Sequence, residues 1–341
     1  MRPAILIVIA LSSCTALAAE SEYADANRRL YFLPREAALG FADLTFARNG
    51  APNTSPANMA LDSSSEVALS YSGHFRNAFS STLLSYAVDL RGAGGLGISL
   101  DYVFVPDIID TRNWTVDGDG NPVIPATFEY STASEMYLHV AYGRGWTLCR
   151  RVRLDAGVAA NVLRRRLLEW TGYGIGLDGA GAVTFLRSGV RAGLVMENMT
   201  TTYMNWSDSY SEYVYPHLRL GVGWRRDFPY IYGAFQASYA SPDLLSNEGA
   251  NATTFLDAND PEEDARELTL FDDPQMLFYG NYGLEYTIAK VVSVRVGLEA
   301  LRRFTFGAGV ALFGQRLVVD FAYLTHHLSG SYLASIAYRW P

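Results

Sequence analysis

The sequence predicts an all-β fold, a transmembrane antiparallel β-barrel of about 14 strands with an amino-terminal plug-like segment. Three observations carry this. From residue 66 onward, apolar side chains recur with period two. Many of these segments are ten residues or more, whereas an ordinary globular strand has about 5 or 6 and a tilted bilayer-crossing strand needs about 9–11. Short connectors also alternate with longer ones, as expected of a barrel with short periplasmic turns and longer outer loops.

The first element reads as a targeting signal. Met1-Arg2 supplies a positive start, Pro3 to Leu11 an apolar core too short to cross a bilayer, and Ala16-Leu17-Ala18 a small-residue cleavage site. Residues 1–18 are therefore expected to be a secretory signal peptide. The rival reading is a lipoprotein signal, because Leu11-Ser12-Ser13-Cys14 resembles a lipobox. That Cys comes early, and a better cleavage site follows it. Residues 19–65 form a periplasmic or plug segment, and residues 66–340 the barrel. No later run of 18 apolar residues exists to make a transmembrane helix.

Fourteen strands are expected, near 66–73, 80–89, 93–104, 127–142, 149–162, 173–185, 188–199, 212–224, 231–239, 276–287, 290–300, 303–312, 315–326 and 331–340. Connectors after even strands are short: Arg91-Gly92, Gly143–Leu148, Leu186-Arg187, Arg225–Tyr230, Ala289 and Phe313-Gly314. Those after odd strands include the long ones, 105–126, 200–211 and 240–275, although 301–302 and 327–330 are short. An even count puts both ends of the barrel in the periplasm.

The faces fix the kind of barrel. Val292, Val294, Val296 and Leu298 share one face, as do Leu317, Val319, Phe321 and Tyr323, and Tyr332, Ile336, Tyr338 and Trp340. That face is expected to meet lipid. The opposite face carries Asp101, Arg153, Asp155, Asp178, Arg191, Glu197, Arg219, Glu285, Arg295, Glu299, Asp320 and Arg339. Mixed in sign and set inside strands, these charges belong in a lumen where they can pair across strands. Tyr102, Phe104, Tyr130, Trp146, Trp224, Tyr230 and Trp340 are expected to form interfacial girdles. The aromatic last strand suits the barrel-assembly machinery.

Composition excludes other classes. Hydrophobic residues reach 49% and aromatics 13%, so the chain can bury enough surface to order itself. Two cysteines cannot staple a fold of this size. A net charge of −8 argues against nucleic acid as a partner. There is one lysine, Lys290, among 27 basic residues.

Residues 37–60 (AALGFADLTFARNGAPNTSPANMA) resemble the amino-terminal segment of FadL-like and PorV/PorQ-type outer-membrane proteins. The resemblance runs through Gly40, then Asn49-Gly50 where an acidic pair is usual, then Ser55-Pro56-Ala57-Asn58 where Asn usually precedes Pro. It continues in 164–185, in 188–200 with Glu197-Asn198 at a habitual turn, and throughout 283–340. It implies a fourteen-stranded barrel with the amino-terminal segment folded into its periplasmic mouth. It also implies either passive binding or transport of small hydrophobic compounds, or an accessory role with components of type IX-like protein secretion.

Candidate chemistry is sparse. His139 with Ser131 or Ser134 would be the starting point for a barrel hydrolase, but no motif fixes such a pair. Asp117-Gly118-Asp119-Gly120-Asn121 resembles the start of a calcium loop, yet Phe128 stands at the twelfth position. The same letters make a hairpin tip. The acidic stretch with Asp257, Asp260, Glu262, Glu263, Asp264, Glu267, Asp272 and Asp273 reads as a solvated outer loop. Arg164-Arg165-Arg166 is placed at the outer rim, where lipopolysaccharide and outer-membrane lipid are the partners at hand. No catalytic residue, cofactor or metal site is expected.

Overall fold

A computed structural model describes residues 33–46, 54–61, 64–112, 114–115, 117, 123, 125, 127–208, 211–245, 278–299, 303–326 and 329–341. The expected signal peptide, Asn49-Gly50, most of the calcium-like tip and the acidic stretch 257–273 lie outside these residues.

The strands are β1 (Ser65–His74), β2 (Phe79–Asp89), β3 (Gly95–Asp110), β4 (Glu129–Cys149), β5 (Val152–Leu167), β6 (Trp170–Phe185), β7 (Val190–Glu197), β8 (Thr202–Trp206), β9 (Ser211–Val214), β10 (His217–Phe228), β11 (Gly233–Ala240), β12 (Asn281–Ile288), β13 (Val292–Glu299), β14 (Arg303–Leu312), β15 (Leu317–Leu324) and β16 (Ser331–Trp340). Each pairs antiparallel with its neighbours. The ring closes where β1 meets β16, with Ser65 opposite Trp340, and β5 meets β6. Fourteen strands make the closed wall, because β8 continues β7 along β6 and β9 leads into β10. The break between β7 and β8 falls at Asn198 and Thr201, both at positive φ, and Pro216 interrupts the neighbouring strand between β9 and β10.

Alternation makes this a membrane wall. Leu84, Ile175, Val294, Phe321 and Ile336 point outward and are about half exposed, while their strand neighbours point in and are covered. In lipid every backbone polar group needs an internal partner, which a closed ring supplies. Tight turns hold the lower ends together. Ala289 and Lys290 both take positive φ, the geometry of a two-residue hairpin turn.

Several strand limits differ from the sequence reading. β4 runs through 143–148, so the turn after it is only Arg150-Arg151. β3 passes Val105 through a bulge and reaches Asp110. Residues 202–206 and 211–214 are strands rather than loop, and β12 begins at Asn281. β3 to β6 have 16, 21, 16 and 16 residues, against 8 to 10 for β11 to β16. One side of the barrel is therefore much taller than the other. For that reason Tyr102 and Phe104 sit in mid-strand, not at a strand end, although they are level with the outer end of β2.

Candidate lumen site

The wall is lined with glycines where the amino-terminal segment lies against it. A short helix, α1 (Pro34–Ala38), starts with Pro at its first turn, where the missing N–H costs nothing. It leads into Leu39 and Gly40, which press on β12 to β14. A Cβ on Gly283 would stand 2.5 Å from the Leu39 carbonyl oxygen, and Gly297 and Gly307 meet Gly40 and Ala38 in the same way. Farther along, Leu44 lies over Gly221 of β10, where a Cβ would be 2.7 Å from its own Cβ. The 3-10 turn Pro56–Leu61 rests on β3, β4 and β5. A Cβ on Gly143 would come 2.5 Å from the Pro56 carbonyl oxygen, and Gly95 and Gly157 face Met59 and Pro56. Glycine in these strands permits close backbone approach.

Two ionic networks tie the segment down. In the first, Arg35 donates to Glu285 at 3.0 Å, to Asp43 at 2.7 Å and to Gln236 at 3.2 Å. Gln236 donates to Asp43 at 3.0 Å. Arg295 donates to Glu285 at 2.5 Å and to Asp320 at 2.6 Å. Burial disfavours the charge on Arg35, but Glu285 and Asp43 more than offset it, so its pKa rises and the cation is retained. In the second network, Arg191 is wholly buried and donates to Asp155, to Thr184 at 2.8 Å and to Asn58 at 3.3 Å. Arg153 donates to Asp155 at 2.7 Å and to the Ala60 carbonyl. Asn58 in turn donates to the Leu44 carbonyl at 3.1 Å. Buried charges persist only when paired and hydrogen-bonded in this way.

A third network lies higher in the wall. His139 contacts Asp101 at 3.1 Å through Nε2 and Asn161 at 2.8 Å through Nδ1. Asn161 donates to Asp178 at 2.7 Å, and Asp178 accepts the backbone N–H of Asn198 at 2.8 Å. Tyr137 stacks on His139 with centroids 5.4 Å apart. This chain joins β3, β4, β5 and β6 to the break after β7.

The interior is not uniformly polar. Tyr137, Leu163, Met204 and Val214 form one apolar cluster with Trp206, and Leu83 and Val103 form another with Leu33, Phe79 and Val105. Both occupy the outer half. From the opposite mouth a cavity of about 420 Å³ runs between α1 and the wall, lined by Glu36, Glu66, Arg225, Lys290, Asp320 and Arg339 among others, as far as Leu33.

All twelve expected lumen charges face inward. Arg219 pairs with Glu197, Arg303 with Glu299 at 2.7 Å, and Arg339 with Glu66. Gly40 lies buried against β13, and Ser55, Pro56, Ala57 and Asn58 lie buried together at another part of the wall, where Pro56 faces Gly143 of β4 and Gly157 of β5. The hydrolase expectation meets a different geometry. Both ring nitrogens of His139 are engaged, Ser134 points the opposite way along β4, and Ser131 is eight residues up the strand. Of the triple arginine, Arg165 turns inward to Glu135, while Arg164 and Arg166 point out. The sequence reading passed over Arg35, Asp43, Asn58's bonding role, Asn161 and Gln236. Period two already places Asn161 and Gln236 on the inward face.

No protein-family model and no curated protein matches this chain. Solved structures do. The TodX deltaS2S3 mutant monoaromatic hydrocarbon channel matches with a TM-score of 0.53 at 11% identity, covering 90% of this chain and 98% of that one. The Pseudomonas putida toluene transporter TodX has a TM-score of 0.49 at 10% identity over 89% and 96%. Acinetobacter baumannii Omp33 has 0.40 at 8% over 82% and 100%. The first likeness is one of fold, and with the closed fourteen-stranded wall it makes this chain a β-barrel of the outer membrane.

Proposed function

We propose that the chain is a passive outer-membrane channel that binds small hydrophobic compounds and lets them through, with residues 19–65 as its plug and residues 1–18 removed on export. The observation that carries this reading is the seat of residues 33–46. They lie between the apolar clusters of the outer half and the polar cavity of the other mouth. A hydrophobic solute would leave the outer medium for Tyr137, Met204 and Trp206, and would descend only when the segment shifts. A hydrocarbon channel among the structural neighbours supports the choice of solute. PorV/PorQ-type kinship remains part of this reading and rests on residues 37–60 and 283–340. Arg164 and Arg166 would meet lipopolysaccharide. We assign no catalytic step.

The test is uptake of labelled toluene and of a labelled long-chain fatty acid. The host is a Gram-negative strain lacking its own channels for such compounds. Expression of the full chain is expected to raise uptake, and deletion of residues 23–60 to change it further. Uptake equal to that of the empty strain for both solutes would remove the reading.

A further inference from the structure

One end of the barrel carries a ring of positive charge. At the end holding both barrel termini the six connections are 90–94, 150–151, 186–189, 229–232, 289–291 and 313–316. They contain Arg91, Arg150, Arg151, Arg187, Lys290 and Arg316 and not one Asp or Glu. The chain as a whole is −8, so the positive ring runs against its own balance. All six cations are exposed, and none enters an ion pair among the described residues. Like charges held unpaired around one rim repel one another, so a counter-charge from outside the chain would stabilise them.

The surroundings identify the counter-charge. Just above the ring, on the lipid-facing side, the Arg144 guanidinium stands 5.9 Å from the centre of the Trp146 ring, and exposed Arg226 follows Trp224. Tyr230, Tyr232 and Phe313 project from the turns and are 96%, 80% and 77% exposed. Aromatic rings interleaved with cations in one narrow band mark the head-group level of a bilayer. Short turns face the periplasm, so the leaflet beside them is made of phospholipid. Guanidinium groups match phosphate oxygens in pairs.

We propose that this ring binds anionic phospholipid head groups of the periplasmic leaflet, phosphatidylglycerol being the probe. The contacts would surround the barrel instead of forming one pocket, because the cations come from five of the six turns. The remaining turn offers Tyr230 and Tyr232 in their place.

The mature chain, refolded in detergent, is placed in phosphatidylcholine bilayers with spin-labelled phosphatidylglycerol or spin-labelled phosphatidylcholine. The motionally restricted fraction of each is measured. Wild type is expected to enrich phosphatidylglycerol in its lipid shell at low salt and to lose the preference in 1 M NaCl. In the variant Arg91→Gln, Arg150→Gln, Arg151→Gln, Arg187→Gln, Lys290→Gln, Arg316→Gln the enrichment is expected to fall at least about threefold. Heat-modifiable gel mobility checks that this variant has closed. Should it not close, Arg150→Gln with Arg151→Gln and the salt series on wild type decide the matter. Equal restriction of the two lipids by wild type overturns the proposal, as does enrichment unchanged in every variant. Capture by acidic peptidoglycan sacculi without any lipid preference also overturns it.

Discussion

Arg35 and Glu285 are 250 residues apart in sequence, and the guanidinium donates to the carboxylate at 3.0 Å inside the barrel. The arginine belongs to α1 and the carboxylate to β12, so this pair couples the amino-terminal segment to the wall. Glu285→Gln would remove a carboxylate that Arg35 and Arg295 share, leaving Asp43 to the first and Asp320 to the second. A loss of about 3 kcal/mol in the seating of the segment is expected, since breaking a buried pair strands the remaining charge. Conductance in planar bilayers should rise from little or none, while gel mobility still reports a closed barrel. An unchanged, silent trace would separate the segment from any gating role.

Gly297 faces the backbone of Gly40, where even a methyl group would collide with main chain. Gly297→Val is expected to displace residues 38–42 with little effect on the wall, because a β-branched residue suits a strand. A cysteine placed at Ala42, now buried, should become reactive to a water-soluble maleimide in this background and stay protected without it.

Burial pushes the Glu36 carboxyl up to about 8. The Thr54 hydroxyl bond at 2.8 Å and the Arg35 and Arg219 cations pull it down, and Asp43 pushes it up. A pKa raised on seating means that the seated segment holds the proton more tightly than the free one. Its stabilisation is complete below about pH 4 and falls as pH rises through about 8. Open events in bilayer recordings should become more frequent between pH 6 and 9. Glu36→Gln, neutral throughout, should flatten that dependence.

His139 joins three neighbouring strands through Asp101 and Asn161. His139→Ala is expected to leave both groups buried with a lost partner and to cost about 2–4 kcal/mol. The measurement is the urea midpoint of unfolding from detergent micelles. A midpoint equal to that of wild type would show that the network adds nothing to stability.

The wall was legible from the letters because period two survives any loop. The face of Val292, Val294, Val296 and Leu298 is outward as their alternation required. Errors came where glycine has a second meaning. Gly143 and Gly145 looked like a turn, yet one makes room for Pro56 and the other for the side chains of Arg153 and Asp155. Pro106-Asp107 looked like the end of a strand and is a bulge, with Asp107 at positive φ. The inward charges were legible as a class but not as pairs. Nothing local tells Glu285 that it will meet Arg35, because barrel closure and the path of the amino-terminal segment set that contact. Arg35, Glu36 and Asp43 carried the one available hint, three charges within nine positions of a stretch that is otherwise apolar or glycine.

The seam between β1 and β16 has a consequence for biogenesis. Ser65 sits opposite Trp340, so the first hairpin cannot be sealed until the last ten residues have been made and delivered. A chain cut short by even one strand would keep two raw hydrogen-bonding edges. Closure therefore waits on the last strand, and until β16 docks on β1 each edge stays open to pairing with another chain.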